Sequence, residues 1–214
     1  MTKAISDLRK EYKLGRLTAD ALSEHPVDLF QTWFNDALEA GLPEPNAMTV
    51  ATVDSAGRPS QRIVLLKDVS RDGFVFYTNL GSRKAKDLKQ NQHISLHFPW
   101  YIMERQVRVN GFAKPLSRTE VAKYFFSRPT DSQVGAWASQ QSQPISTREL
   151  LVTQFAQMKE KFSKGQVPLP DFWGGFRVEP EQIEFWQGGE HRLHDRFEYT
   201  KQIDATWTTQ RLMP

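Results

Sequence analysis

Between Pro26 and Gly41, apolar residues recur at three- and four-residue spacing: Leu29, Phe30, Trp33, Phe34, Ala37 and Leu38. That period predicts an amphipathic helix, with Pro26 suited to its first turn and Gly41 to its stop. The pattern then changes. Ala47–Asp54, Gln61–Val69 and Phe74–Thr78 are short β-rich runs separated by Ser55-Ala56-Gly57-Arg58-Pro59 and Arg71-Asp72-Gly73, the turn punctuation of consecutive hairpins. Ser82 predicts the N-cap of a helix reaching Gln90, after which His93–Phe98 and Gln106–Ala113 return to strand. Ser117–Phe126 predicts a helix ending before Pro129. Ser146–Phe162 predicts another, with Leu150, Leu151, Phe155 and Met158 on one face. Phe172–Val178, Ile183–Trp186, Arg192–Tyr199 and Ala205–Leu212 close the chain as strands.

Strands outnumber helices and follow one another through short turns, without alternating crossover helices. The expected fold class is therefore mainly antiparallel β with peripheral helices (α+β), a barrel in preference to a doubly wound sheet. Residues 1–25 carry Lys3, Arg9, Lys10, Lys13 and Arg16 with few large apolar side chains. They are expected to form a partly mobile arm that packs late or on ligand binding, ahead of a single domain over residues 26–214.

Composition narrows the chemistry. The 214 residues include 39% hydrophobic types and no cysteine, so a sizeable core is expected and disulfides, thiolate nucleophiles and Cys-ligated metal centres are excluded. No stretch approaches the roughly 18 apolar residues of a membrane span, and Met1–Tyr12 lacks a signal peptide's apolar segment, so a cytoplasmic protein without a membrane partner is expected. Lys and Arg exceed Asp and Glu by 28 to 25. That surplus is too small to imply a polyanion, and a nucleic-acid module would need a basic stripe interleaved with stacking aromatics, whereas acids alternate with the bases here. The twelve glycines contain neither a G-x-G pair nor a P-loop, so any nucleotide-like cofactor must be held in another way.

Four clusters could carry chemistry. Arg62-Ile63-Val64-Leu65-Leu66-Lys67 has a cation at each end, on opposite strand faces unless a bulge or barrel edge re-aims one. Tyr77-Thr78-Asn79-Leu80-Gly81-Ser82-Arg83-Lys84 runs from strand into a helix start bearing two cations. Cations there oppose the helix dipole unless an anion such as phosphate sits with them. Tyr124, Arg128, Ser132 and Gln133 span a helix end and the Pro129 turn, suiting a second phosphate, and Gln140-Gln141-Ser142-Gln143 is a polar loop able to meet the edges of a flat heterocycle. In Ile183–Arg196, two strands about Gly188-Gly189 should bring Trp186 near Arg192, His194 and Arg196, with alternation placing these last three on one face. Such like charges repel unless an anionic or electron-rich ligand covers them. A metal reading of His191, His194 and Asp195 is poor, because their spacing does not match two ligands on a helix face.

The string Glu184–Arg196 resembles the C-terminal signature of the pyridoxine/pyridoxamine 5′-phosphate oxidase family. The likeness extends through Arg62–Lys67, Phe76-Tyr77-Thr78-Asn79, Ser82-Arg83-Lys84, Glu104-Arg105-Gln106, Ser127-Arg128-Pro129 and Phe172-Trp173-Gly174-Gly175-Phe176. It runs from about Arg9 onward.

The resemblance implies an FMN-binding split β-barrel, a homodimer with FMN in two clefts at the subunit interface. It implies that Arg62, Ile63, Val64, Leu65, Leu66, Lys67, Tyr77, Thr78, Arg83 and Lys84 bind FMN, together with Gln106, Gln141, Ser142, Trp186 and Arg196. Lys67, Tyr124, Arg128 and Ser132 would hold the substrate phosphate, with Arg192, Leu193 and His194 at the pyridine ring and Arg192 and His194 as the catalytic pair. The arm segment Arg9, Lys10, Glu11 and Tyr12 would close over the substrate. The implied activity is oxidation of pyridoxamine or pyridoxine 5′-phosphate to pyridoxal 5′-phosphate, with dioxygen as acceptor. One departure is Glu44 before Pro45 where the family pattern has Asp, a carboxylate one methylene further from the backbone. A flavin-binding relative with another substrate stays open at this point.

Overall fold

The computed structural model describes residues 4–214. Among these residues are five α-helices and nine strands: β1 (Ala47–Val53), β2 (Pro59–Leu65), β3 (Asp68–Ser70), β4 (Gly73–Asn79), β5 (His93–Trp100), β6 (Arg105–Pro115), β7 (Trp173–Gln187), β8 (Asp195–Lys201) and β9 (Trp207–Arg211). The helices are α1 (Pro26–Glu39), α2 (Arg83–Gln90), α3 (Arg118–Ser127), α4 (Thr130–Ala138) and α5 (Arg148–Lys161). The hydrogen-bonded order is β2-β1-β5-β6-β7-β4-β3, with β8 on β7 and β9 on β8, and the pairs β3–β4, β4–β7, β7–β8 and β8–β9 are antiparallel. This is the antiparallel sheet with peripheral helices that the pattern predicts. No helix among the described residues is long and apolar enough to cross a membrane.

Two compact units divide the chain. One takes in the chain up to Val50, Ser95–Gly111 and Pro180–Pro214, and the other Ala51–Ile94 and Phe112–Glu179.

In the first, α1 begins with Pro26 at its first turn and buries Val27, Leu29, Phe30, Trp33 and Ala37. Phe30 meets the Phe98 ring at 4.9 Å and Trp33 meets Phe185 edge-on at 5.2 Å. Truncating a fully buried ring such as Phe30 to Ala costs about 3–5 kcal/mol. The Arg105 guanidinium lies 4.4 Å over the Trp33 ring while its Nη1 donates to Asp36 at 2.6 Å, which fixes the start of β6.

In the second unit, Val121, Phe125, Val134, Val167 and Trp173 form a buried cluster against which Tyr77, Tyr124 and Phe155 pack. The first half of β7 pairs with β4 so that Tyr77 stands opposite Gly175 and Thr78 opposite Gly174. A Cβ at Gly175 would lie 2.7 Å from the Phe76 carbonyl oxygen and 2.8 Å from Tyr77 Cδ1. The absence of a side chain there lets the Tyr77 ring lie down on the strand.

Several boundaries differ from expectation. The Gln61–Val69 run breaks at Leu66-Lys67 into β2 and β3. Phe172–Val178 and Ile183–Trp186 are one strand, β7, carried straight through Pro180; Pro180 falls between the β4 ladder, which ends at Val178, and the β8 ladder, which starts at Gln182. Helix α4 follows Pro129 where the sequence suggested a turn, because Gly135 and two β-branched residues weaken its helical pattern. Of the expected apolar face of α5, Phe155 and Met158 pack while Leu150 and Leu151 stay exposed.

Candidate active site

The sequence-predicted residues fall into two groups, one in each unit. In the second unit a cavity of about 510 Å³ is lined from β2 by Ile63, Val64 and Leu65, then by Lys67, and from β4 by Tyr77, Thr78 and Asn79. Lys84 of α2, Tyr124 and Arg128 at the end of α3, Ser132 of α4, Gln141 and Trp173 complete its polar and aromatic wall. The size suits a drug-sized or cofactor-sized ligand. The strand break re-aims the chain so that Lys67 shares this cavity with Val64 and Leu65, while Leu66 is buried and does not line it.

Lys84 is 7% exposed, and its Nζ donates to Thr78 Oγ1 at 3.0 Å and to Gln141 Oε1 at 2.7 Å. Among the described residues no carboxylate pairs with it. Burial, followed by the nearby Arg62 charge, pushes its ammonium down to about 8. A buried cation served only by neutral acceptors is costly unless an anion arrives. Ser82 caps α2 by accepting from the Ala85 N–H; in the first turn that follows, Lys84 is buried and Arg83 exposed. Arg62 donates to Thr52 Oγ1 at 2.7 Å and to the Ser60 carbonyl and hydroxyl, and Thr52 in turn donates to the buried Asp87 carboxylate at 2.6 Å. Arg62, Arg83 and the exposed Ser142 stand outside the cavity lining.

Opposite chemistry lines the aromatic wall. Tyr77 stacks on Tyr124 at 4.0 Å and on Trp173 at 5.4 Å, and the Arg128 guanidinium lies 4.9 Å over the Trp173 ring. Arg128 Nη1 is buried without a hydrogen-bond partner, and burial pushes its guanidinium below its ordinary value. Gln133 donates to the Arg128 carbonyl at 2.8 Å, which ties the end of α3 to α4. An orphaned guanidinium N–H beside Tyr124 and Ser132 fits an anion with several acceptor oxygens. Sequence reasoning passed over Trp173 as part of this wall. Its presence in the Trp-Gly-Gly string, where small residues invite close packing, was the available signal.

In the first unit, Trp186, His194 and Tyr12 form an aromatic cluster, with Trp186–His194 at 4.6 Å, Tyr12–His194 at 5.6 Å and Tyr12–Trp186 edge-on at 5.7 Å. Trp186 stands opposite Arg196 in the β7–β8 ladder. Arg196 Nε donates to Glu184 Oε1 at 2.8 Å, and Arg108 donates to the other oxygen of the same carboxylate. Gln106 meets His97 at 3.1 Å. A second, smaller cavity of about 210 Å³ is lined by Arg9, Lys10, Glu11, Tyr12, Gly189, His191 and Arg192.

The strand expected from Arg192 starts three residues later. Glu190–Arg192 is a 3-10 turn and β8 starts only at Asp195, so alternation does not put Arg192, His194 and Arg196 on one strand face. His191 and Arg192 both have left-handed backbones, with φ of 54° and 66°, a conformation that ends regular strand pairing. Arg192 nonetheless reaches Tyr12, its guanidinium 5.7 Å over that ring. Leu193 is 71% exposed.

The arm is docked along part of its length. Leu17 is buried and its N–H donates to Asp195 at 3.1 Å, while Lys13 and Leu14 donate to Glu104. Lys3, expected among its cations, lies outside the described residues. Glu44, the departure from the family pattern, is exposed with φ of 46°.

The comparisons with known proteins agree in one direction. Residues 34–162 match the family described as Pyridoxamine 5′-phosphate oxidase, and residues 173–214 match the Pyridoxine 5′-phosphate oxidase C-terminal dimerisation region. A relative from Alteromonas mediterranea named pyridoxine/pyridoxamine 5′-phosphate oxidase is 63% identical over 99% of this chain and 100% of its own length. One of the same name from Pseudoalteromonas translucida is 59% identical over 98% and 99%. Among solved structures, PhzG from Burkholderia lata 383, in complex with tetrahydrophenazine-1-carboxylic acid, superposes with a TM-score of 0.87 at 30% identity, covering 92% of this chain and 98% of that one. A pyridoxamine 5′-phosphate oxidase-related, FMN binding protein from Nostoc punctiforme shares the fold, with a TM-score of 0.70 at 14% identity. With such relatives matched over nearly its full length, and with the phosphate-suited cavity that its motifs build, the chain belongs to the pyridoxine/pyridoxamine 5′-phosphate oxidase family.

Proposed function

We propose that the protein is an FMN-dependent oxidase that converts pyridoxamine and pyridoxine 5′-phosphates to pyridoxal 5′-phosphate, reducing dioxygen to hydrogen peroxide and, from the amine, taking up water and releasing ammonia. The observation that carries this reading is one cavity holding both a buried, carboxylate-free ammonium, Lys84, and a buried guanidinium N–H without a partner, Arg128. Phosphate esters satisfy both.

Lys84, with Arg62 and Arg83 near the same helix start, would hold the phosphate of FMN, and Thr78 and Gln141 already supply Lys84 with its neutral contacts. Lys67, Tyr124, Arg128 and Ser132 would hold the substrate phosphate, Arg giving a planar fork and the hydroxyls filling the remaining oxygens. Gln106, Trp186 and Arg196 are the further FMN residues, in a homodimer assembled through the C-terminal region. Bound FMN would supply two-electron acceptor chemistry for oxidation of the substrate's exocyclic carbon, with dioxygen as the final acceptor. Arg192 and His194 orient the pyridine ring, and the protein's contribution is positioning. His194 would offer an N–H from Nε2 to that ring, because Nδ1 accepts from the Gly189 N–H.

The test is direct. Purified protein should show a flavin absorption spectrum and form pyridoxal 5′-phosphate from both the amine and the alcohol in air. A colourless protein that neither binds added FMN nor turns over either phosphate would overturn the reading.

A further inference from the structure

Glu104 is a buried carboxylate, 2% exposed, placed between β5 and β6 in a left-handed backbone with φ of 55°. Nothing about its own strands explains three donors converging on it. They come from the arm: the Lys13 N–H at 2.7 Å and the Leu14 N–H at 2.9 Å reach Oε2, and the Lys10 ammonium reaches Oε1 at 2.9 Å. The same residue's backbone carbonyl accepts the Gly188 N–H at 2.7 Å and the Gln187 amide at 3.2 Å. Its side chain therefore grips the arm while its main chain grips the end of β7, one residue before the Gly189–His194 turn. Packing between the two is close. A Cβ added at Gly188 would lie 2.8 Å from Tyr12 and 3.0 Å from Glu104 Cβ.

From this geometry we infer that Glu104 is a positioning residue for the oxidase reaction: it latches the arm so that Arg9 and Tyr12 are presented to the turn bearing Arg192 and His194. The inference rests on the function proposed above. Tyr12 is the middle of the relay, since it touches both Trp186 and His194 and lies beneath the Arg192 guanidinium. Burial favours the neutral acid at Glu104, but the Leu14 N–H, the Lys10 ammonium and the Lys13 N–H outweigh it and hold the carboxyl below its ordinary range. The latch is thus charged at neutral pH. A plain structural staple would stabilise the fold without regard to substrate, whereas a latch governs how the arm meets it.

Glu104→Gln separates the two. Gln keeps the size but offers one acceptor oxygen and turns an amide toward donors that it cannot satisfy. Two measurements are made on the holoenzyme: the initial rate of trypsin cleavage after Lys13 and Arg16, sites that every variant retains, read by mass spectrometry, and the steady-state constants for pyridoxamine 5′-phosphate. Expected are arm cleavage and KM each raised roughly tenfold, with kcat changed less than KM and with FMN content and Tm near the parent's. Lys10→Gln, which deletes only the ion pair, should raise arm cleavage by a smaller factor and add nothing to Glu104→Gln, as expected for partners in one contact. Arm cleavage within twofold of the parent in Lys10→Gln and Glu104→Gln overturns the inference. So does a variant cut equally fast at sites throughout the chain with a collapsed Tm, unless Lys10→Gln still loosens the arm alone. The cleavage assay does not depend on catalysis, so a parent that protects its arm yet oxidises nothing would sink the proposed function and leave the latch standing.

Discussion

The Gly189 backbone N–H donates to His194 Nδ1 at 3.1 Å, which fixes the tautomer of the imidazole. A backbone N–H cannot accept, so Nδ1 carries the lone pair and the ring proton sits on Nε2. Burial, and then the Arg192 charge, hold His194 below its ordinary value. Because the folded value lies beneath the unfolded one of 6.5, this contact stabilises the turn above about that pH and is lost as pH falls through the lowered folded value. Nitrogen-correlated NMR of the histidines should find His194 neutral with its proton on Nε2 at pH 7, titrating below 6.5. A protonated ring at pH 7, or a proton on Nδ1, would contradict the assignment.

Lys84 loses its proton at a lower pH than a surface lysine does. Its folded value near 8 lies below the ordinary 10.5, so the unfolded chain holds more protons between these limits and the unliganded protein gains stability as pH rises through that window. Binding needs the charged form. FMN phosphate is already dianionic by then, so the Kd for FMN should rise above pH 8, approaching roughly tenfold per unit. Lys84→Arg, which stays charged, should flatten that rise. Calorimetric titration at pH 7 and pH 9.5 compares the two proteins, and parallel pH profiles would remove Lys84 from the phosphate site.

Arg128 has a buried Nη1 with no hydrogen-bond partner. Truncation to Ala therefore removes an unsatisfied donor along with a contact on Trp173, and should leave Tm close to the parent's. Substrate binding is another matter. Losing a charged hydrogen bond costs about 1.5–3 kcal/mol, or roughly 10- to 150-fold in affinity for the phosphorylated substrate, and FMN should remain bound. Equal losses for phosphorylated and unphosphorylated substrates would make Arg128 structural.

How far the sequence could be read follows from local and non-local physics. Helix α1 was legible because its whole burial pattern, from Val27 to Ala37, is written in one periodic run with Pro26 at its start. The Ser82 cap was legible for the same local reason. The continuity of β7 was not, because Pro180 looks like a break until its change of partner strand is known. The cations of the cavity were legible as residue types, but not the inward turn of Lys84, which depends on Gln141 arriving from a distant loop. Neither Glu104 nor Trp173 announced its role, since each acts through contacts with segments far away in the chain. The left-handed pair at His191 and Arg192 also escaped, because Arg does not favour that conformation and only the surrounding structure imposes it on two successive residues.

That pair yields the last prediction. A side chain in the left-handed region costs on the order of 1–2 kcal/mol relative to glycine, and Arg192 bears this cost at φ of 66° while its guanidinium lies 5.7 Å over Tyr12. Arg192→Gly should relieve the strain and hold or raise Tm, while turnover collapses because nothing then reaches the ring. Arg192→Lys tests the chemistry apart from the backbone. Lysine keeps the charge and the strain but loses the planar fork that can lie against a pyridine and bond in two directions. If Arg192 were one more cation for phosphate, Lys would be nearly neutral. If it aligns the reacting carbon, a shift of about 1 Å costs on the order of a hundredfold in turnover. The second outcome is expected, with FMN content unchanged because Trp186 and Arg196 keep their ladder positions. Steady-state kinetics of Arg192→Lys in fully flavinated protein decides it: kcat within about twofold of the parent would strike Arg192 from the catalytic pair and leave His194 alone.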